Sequence, residues 1–438
     1  MTALEQLGQF VSEAGREPVP DAVRELVELH LIDTFGALIA GTATTEGRSL
    51  SAYRDARRNE APSPSLGLDI ATRSAQARLS EIDDIHLPSM TTPGGIVIPA
   101  ALSMAGAMPS ATKDDMTAAI LAGYEAMTRL GRAIDGPTAL YRGIWPTYFA
   151  APFGVTAVAA RLMKLDKRQA ANALALALTF AAPGVGHHNA TTTSRWFAVG
   201  NAARNGLMAA QGAQQGFTSD LNLVEGSFLS GIYSLNPDVA ALTDGLGDGT
   251  TLREVSFKPW CAARQTMAAT QALKEIIESG VAPESILDVH AFVLPPHLKM
   301  IDHGVVAGDR ASHLTSLPYC MAVAAVAPEL AFDVQQSPPE LSPAVRAFMG
   351  KIKIQPDESL LADYPRCWRA RVRVAADAGT REVKVVDVPG DPALPFDRSL
   401  VQGKFRRFVV AAAGAVEAEE VLTRCSDAFA SGNFSSLM

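Results

Sequence analysis

The sequence predicts a mainly α protein that carries a smaller α+β domain. Up to about residue 240, apolar residues recur at three- and four-residue spacing in segments rich in alanine and glycine. After about residue 250, short alternating runs rich in β-branched residues appear, with turn residues between them. From about residue 400 the helical pattern returns. An all-helical domain is therefore expected over 1–250 and 400–438, with the last helices packing back on the first, and an α+β domain over 251–399.

The elements follow in order. "PDAVRELVELHLIDTFGALIAG" (Pro20 to Gly41) carries Val23, Leu26, Val27, His30, Leu31 and Thr34 on one helical face, with proline at its start and glycine at its end. Helices are also predicted at "MTAAILAGYEAMTRLGRAI", "FGVTAVAARLMKL", "KRQAANALALALTFAA" and "NAARNGLMAAQGAQQG". Their small residues let neighbouring helices approach closely and be buried on most sides. Strands are predicted at "DVHAFVLPP", "KIKIQPD", "ARVRVAAD" and "TREVKVVDV", with a hairpin loop at "ADAGT" (Ala376 to Thr380). Helices at "RQTMAATQALKEIIESG" and "LTSLPYCMAVAAVAPELA" interleave with them, and "KFRRFVVAAAGAVEAEEVLTRCSDAFASG" ends the chain. There is no internal repeat and no low-complexity linker.

Composition narrows the function class. With 48% hydrophobic and 19% charged residues, the 438-residue chain has apolar surface for a large core, which argues against disorder. The net charge of −8 is spread out and no basic stripe occurs, so nucleic acid is not the expected partner. Cys261, Cys320, Cys367 and Cys425 lie far apart without CxxC pairs, against a disulfide framework or zinc knuckle. The first residues lack a basic region followed by an apolar one, and "IVIPAALSMAGAM" and "ANALALALTFAA" fall short of the roughly 18–20 residues a bilayer span needs. A soluble cytoplasmic protein with no membrane partner is expected.

Four segments carry candidate chemistry. In "EIDDIHLPSMTTPGGIVIPAAL", Asp83, Asp84 and His86 precede a Pro-Gly-Gly turn. They suit acid–base work or, equally, a helix end; with no HExxH or clustered ligand set, metal binding is not indicated. Gly94 and Gly95 let backbone approach a ligand, and a helix starting near Val97 or Pro99 aims amides at an anion. "YRGIWPTYFAAPFG" reads as a rigid loop before a buried helix, in which Tyr148 is a phenolic acid or base and Trp145 a wall, or both are interhelical plugs. In "GVGHHNATTTSRWFAVGNAARNG", Arg195 precedes a helix opening near Phe197 and suits a carboxylate clamp. In "FKPWCAARQTMAATQAL", Lys258 sits among Phe257, Pro259 and Trp260, an apolar setting that can lower a lysine pKa. Cys261, Arg264 and Gln265 follow; Cys261 is a thiolate candidate whose ordinary role is a small buried residue. No Walker loop, GxGxxG fingerprint or Gly-x-Ser-x-Gly elbow occurs in the required setting, so no nucleotide or nicotinamide cofactor is indicated.

In this order the segments resemble the 2-methylcitrate dehydratase (MmgE/PrpD) family over nearly the whole chain. The resemblance rests on "EIDDIH…TPGGIVIPAAL", "PTYFAAPFG", "GNAARNGLMAAQGAQQGFT", "FKPWC" and "SLPYCMAVA" (Ser316 to Ala324). It implies a discontinuous all-helical domain built from both chain ends, an inserted α+β domain, an active site in the cleft between them, and a homodimer. It also implies chemistry without a cofactor or metal on small di- or tricarboxylates: dehydration, decarboxylation or epimerisation beside a carboxylate-bearing carbon.

The departures from the family pattern are informative. Dehydratases and decarboxylases of the family carry histidine where this chain has Thr92 and, ahead of Pro-Thr, where it has Trp145. Their lysine before the Gly-x-Ala-Ala helix is Arg195 here, and the histidine after the Lys-Pro segment is absent. Expelling hydroxide needs an acid beside the leaving oxygen. Epimerisation needs only a base, an acid on the opposite face and cations for the enolate charge. The expectation is therefore an epimerase or racemase, most like the family's epimerase branch. Tyr148 and Lys258 are the expected facing pair and His86 a second base. Asp83, Asp84, Thr92, Trp145, Arg195, Arg264 and Gln265 are the expected substrate contacts. The alternatives are a dehydratase or decarboxylase lyase, and an inactive carboxylate-binding member.

Overall fold

The structure, a computed structural model, describes the chain except residues 61–64, 109, 182–183, 185–191, 249, 336, 339 and 438. Its contacts divide into two compact units, the first drawn from 1–186, 193–256 and 397–438, the second built on 257–396.

The first unit is helical. It contains α1 (Ala3–Glu13), α2 (Asp21–Thr42), α3 (Thr45–Glu60), α4 (Leu66–Leu79), a two-residue strand β1 (Ile85–His86), α5 (Gly94–Ala107), α6 (Lys113–Ala133), α7 (Gly136–Tyr141), α8 (Pro146–Leu162), α9 (Lys167–Thr179) and α10 (Ser194–Gln214). Short helices α11 (Phe228–Tyr233), α12 (Ala240–Thr243) and α13 (Thr250–Arg253) lead to β2 (Val255–Ser256). Local chemistry sets several starts. Thr2 with Glu5, Thr112 with Asp115 and Asp166 with Gln169 form reciprocal capping boxes ahead of α1, α6 and α9. Small residues then set the packing of α10 on α8 and α4. A Cβ on Gly206 of α10 would lie 2.4 Å from the Pro152 carbonyl oxygen of α8, and one on Gly200 would lie 2.3 Å from that of Ala71 in α4.

The second unit begins after β2. It contains α14 (Arg264–Glu278), β3 (Ile286–Val293), α15 (Leu298–Ile301), α16 (Arg310–Thr315), α17 (Leu317–Val326), α18 (Pro343–Met349), β4 (Ile352–Pro356), β5 (Ala370–Ala376) and β6 (Gly379–Val385). The sheet order is β4-β3-β5-β6, with β3 and β4 parallel and the other pairs antiparallel. Ala370, Val372, Val374 and Ala376 alternate inward along β5, and α14 packs on β5 and β6. The predicted hairpin closes through Asp377 and Ala378, with Ala376 opposite Gly379. The chain then returns to the first unit as α19 (Arg398–Ala413), which packs on α2, and α20 (Ala415–Ser431).

The expected fold class holds: mainly α, with a smaller α+β part. Three helix starts differ from the sequence expectation. Helix α5 begins at Gly94 rather than near Val97, because the Asp84 carboxylate accepts the Gly94 N–H from ten residues away and replaces a local cap. Pro99 therefore lies inside the helix. The "PTYFAAPFG" segment is not a loop but the first turns of α8, with Pro146 at the first helical position, where its missing N–H costs nothing. Helix α10 opens at Ser194, so Arg195 is a helical residue. Among the described residues, no single helix is long and apolar enough to cross a membrane.

Candidate functional site

The aspartate pair lies between α4 and α5 and is fully buried. Asp84 accepts from Gly94 N–H at 2.7 Å and from Tyr124 O–H at 2.6 Å, and its Oδ2 lies 2.8 Å from His30 Nδ1. Burial alone would raise this carboxyl, but His30, Tyr124 and the Gly94 amide outweigh it and hold it below the usual range. Asp83 receives both its oxygens' bonds from Arg78, whose Nη2 also lies 3.1 Å from Glu81. The two glycines make room for this pair rather than for an external ligand. A Cβ on Gly94 would lie 2.6 Å from Asp84 Oδ2, and one on Gly95 2.7 Å from Asp83 Oδ2. The anion at the start of α5 is thus the protein's own carboxylate.

The same loop is anchored by α19. Lys404 Nζ lies 2.6 Å from Asp33 of α2 and donates to the Ile82 carbonyl at 2.6 Å. Burial raises the Asp33 carboxyl despite that ammonium. His86 sits where β1 pairs with β2, with Nδ1 2.8 Å from Ser89 Oγ and Nε2 3.1 Å from Glu254. Burial keeps its pKa below the ordinary value although Glu254 pulls the other way, so the ring is neutral at pH 7. Both ring nitrogens have protein partners.

Tyr148, Trp145, Arg195, Thr92 and Arg78 occupy the neighbourhood of the first turn of α8. The Tyr148 and Trp145 rings meet edge-on at 5.7 Å. The Arg195 guanidinium lies 4.5 Å from the Trp145 ring centroid and 5.1 Å from that of Trp196. Burial raises the Tyr148 phenol above its ordinary pKa, while Arg195, which hydrogen-bonds it, and Arg78 oppose the rise. At neutral pH it is therefore a proton donor. The Nε atoms of Arg195 and Arg78 are both buried and have no hydrogen-bond partner among the described residues. Beside them, the Thr92 hydroxyl lies 3.1 Å from that of Thr147, which also accepts the Thr92 N–H. This ties the loop before α5 to α8.

The remaining candidates belong to the second unit. Lys258 is buried in the segment leading to α14, after Phe257, whose ring stacks on Phe396. Arg264 opens α14, buried, with Nη2 2.5 Å from Asp391 Oδ2 and its guanidinium 5.9 Å from the Trp368 ring centroid. Its Nη1 has no hydrogen-bond partner among the described residues. Gln265, next on the helix, is half-buried. The Cys261 thiol is buried. Among the described residues, no group of three or more His, Cys, Asp or Glu is placed to hold a metal ion.

Sequence reasoning overlooked Arg78, His30, Tyr124, Thr147 and Glu254. Arg78 carried a usable signal, an arginine five residues before a buried aspartate, whereas the others come from distant segments. His187 and His188, in the same sequence segment as Arg195, lie outside the described residues.

Comparison with known proteins gives two kinds of match. The model of the MmgE/PrpD N-terminal domain matches residues 5–236, and that of the MmgE/PrpD C-terminal domain residues 260–428. A cis-aconitate decarboxylase of Homo sapiens is 25% identical over 281 residues, covering 61% of this chain and 58% of the relative's length.

Proposed function

The chain belongs to the MmgE/PrpD family, and on that premise we propose that it is a cofactor-independent epimerase or racemase. The substrate is a small di- or tricarboxylate, and the reaction removes and returns the proton beside a carboxylate. The observation that carries the reading is the pair of buried arginine Nε atoms, of Arg78 and Arg195, left without partners around a protonated Tyr148. Buried N–H groups of this kind seek an anion. Held there, a carboxylate is polarised as charge moves onto its oxygens, and the arginines stabilise the enolate. The Tyr148 phenol supplies the returning proton. Lys258 is proposed as the proton-abstracting base on the strength of the "FKPWC" match, and a homodimer on the same resemblance. Asp83, Asp84 and His86, each engaged by protein partners, act in this scheme by positioning Arg78 and the start of α5.

Thr92 and Trp145 support epimerisation over elimination, since neither supplies an imidazole to protonate a departing hydroxide. The second reading is a lyase, a decarboxylase or dehydratase, which the decarboxylase relative supports. A third is a member that binds a carboxylate without turning it over. Incubating candidate di- and tricarboxylates in D₂O separates them. Deuterium incorporation with inversion supports the epimerase, whereas an alkene or carbon dioxide without exchange sinks it. Saturable binding with no reaction leaves only the third.

A further inference from the structure

The first unit also holds a pocket of mixed lining, formed by α1, the chain from Ala14 to Val23, one face of α6 and the chain from Thr243 to Asp248. Its volume is about 820 Å³. Ala118, Leu121 and Glu125 line it from α6 at spacings of three and four, which places them on one helical face. Phe10, Val19 and Val23 add apolar surface, and Glu13, Glu17 and Asp248 add carboxylates.

Glu125 is the unusual member. It is 3% exposed, and its Oε2 accepts from Arg129 Nε at 2.5 Å and from Thr251 Oγ1 at 2.8 Å. Its Oε1 is buried and has no hydrogen-bond partner among the described residues. Arg129 does not supply one: its Nη atoms donate instead to the carbonyls of Asp244 and Gly245 at 2.7 and 2.9 Å. The rim arginine, Arg16, is paired with Glu13 at 2.8 Å. A buried carboxylate oxygen left unsatisfied is costly, and the group that relieves it is an N–H or O–H donor, best a cationic one.

We propose that this pocket binds a linear aliphatic polyamine. One ammonium donates to Glu125 Oε1, the methylene stem lies against Leu121, Ala118 and Phe10, and a second ammonium meets Glu17 at the rim. The alternation of apolar and anionic lining is the complement of that ligand, which a bare metal ion or a monoamine satisfies only in part. The site shares no residue with the proposed catalytic group, so its test is independent of that assignment.

Isothermal titration of the full chain with spermidine tests the assignment. Saturable binding is expected, weakened about tenfold by Glu125→Gln and severalfold by Glu17→Gln, with n-butylamine binding much more weakly. Absence of saturation at millimolar spermidine overturns the proposal, as does unchanged affinity in a Glu125→Gln variant that melts like wild type. Should that variant not fold, the exposed Glu17→Gln decides. Equal affinity for spermidine in Glu17→Gln and wild type, with n-butylamine binding as well as spermidine, is also fatal.

Discussion

Tyr148 illustrates how much a single residue's surroundings decide. A phenol in water loses its proton near pH 10. Buried against Trp145, it keeps its proton to higher pH although two nearby arginines oppose this, which suits it to give a proton rather than to take one. Tyr148→Phe is expected to lower kcat by about 10²-fold or more while melting close to wild type; steady-state rates with the identified substrate check this. Arg195→Lys retains the charge but loses the fork geometry and much of the stacking on Trp145, so a raised KM is expected. An unchanged KM in that variant would remove Arg195 from the carboxylate site. Lys258→Ala is expected to abolish exchange of the substrate α-proton, read by deuterium incorporation. Retained exchange would dismiss Lys258 as the base.

At the scale of elements, helix-to-helix approach sets the framework on which these side chains stand. Gly206 of α10 leaves no room for a methyl beside the Pro152 carbonyl of α8. Gly206→Ala must push the two helices apart, and about 1–3 kcal/mol of destabilisation is expected from overpacking. Thermal melting checks it, and a melting temperature equal to wild type would mean that α8 and α10 yield more easily than their backbone contact implies. Because Arg195 rides on α10 and Tyr148 on α8, the same substitution is expected to impair turnover as well. The loop between α4 and α5 is fixed differently. Its carboxylates replace a helix cap at Gly94, hold Arg78 in place and meet His30 and Tyr124 of two other helices.

Across the whole molecule, buried histidines contribute to the response to acid. Burial and the nearby Arg264 push His297 from its ordinary 6.5 down to about 3. The unfolded chain therefore binds a proton below about pH 6.5 that the folded chain refuses until about pH 3. Unfolding takes up that proton, so stability is full above the upper value and falls as pH drops below it. The buried, neutral His86 adds to this in the same direction. A lower melting temperature at pH 4.5 than at pH 7.5 is expected, with a smaller loss in His297→Phe, whose ring keeps the contacts with Trp368 and Tyr364. Equal losses in the two proteins would assign the acid sensitivity elsewhere. Much of the fold was legible in the sequence. Periodicities of 3.6 and 2 reported the helices and strands, because each element buries one face and its local spacing records which. The family, too, was readable from short motifs in order along the chain. Helix starts were less so: α5 begins where a carboxylate ten residues earlier meets it, and no local pattern around Val97 encodes that. Of the candidate site, the sequence alone determined which polar residues stand in unusual settings, such as Asp83, Asp84, Tyr148 and Arg195. Only the tertiary structure decided what they face. Partners such as His30 and Tyr124 for Asp84, or Arg78 and Arg195 for Tyr148, come from separate helices, and burial in a shared core, not sequence distance, sets the strength of their charges and hydrogen bonds.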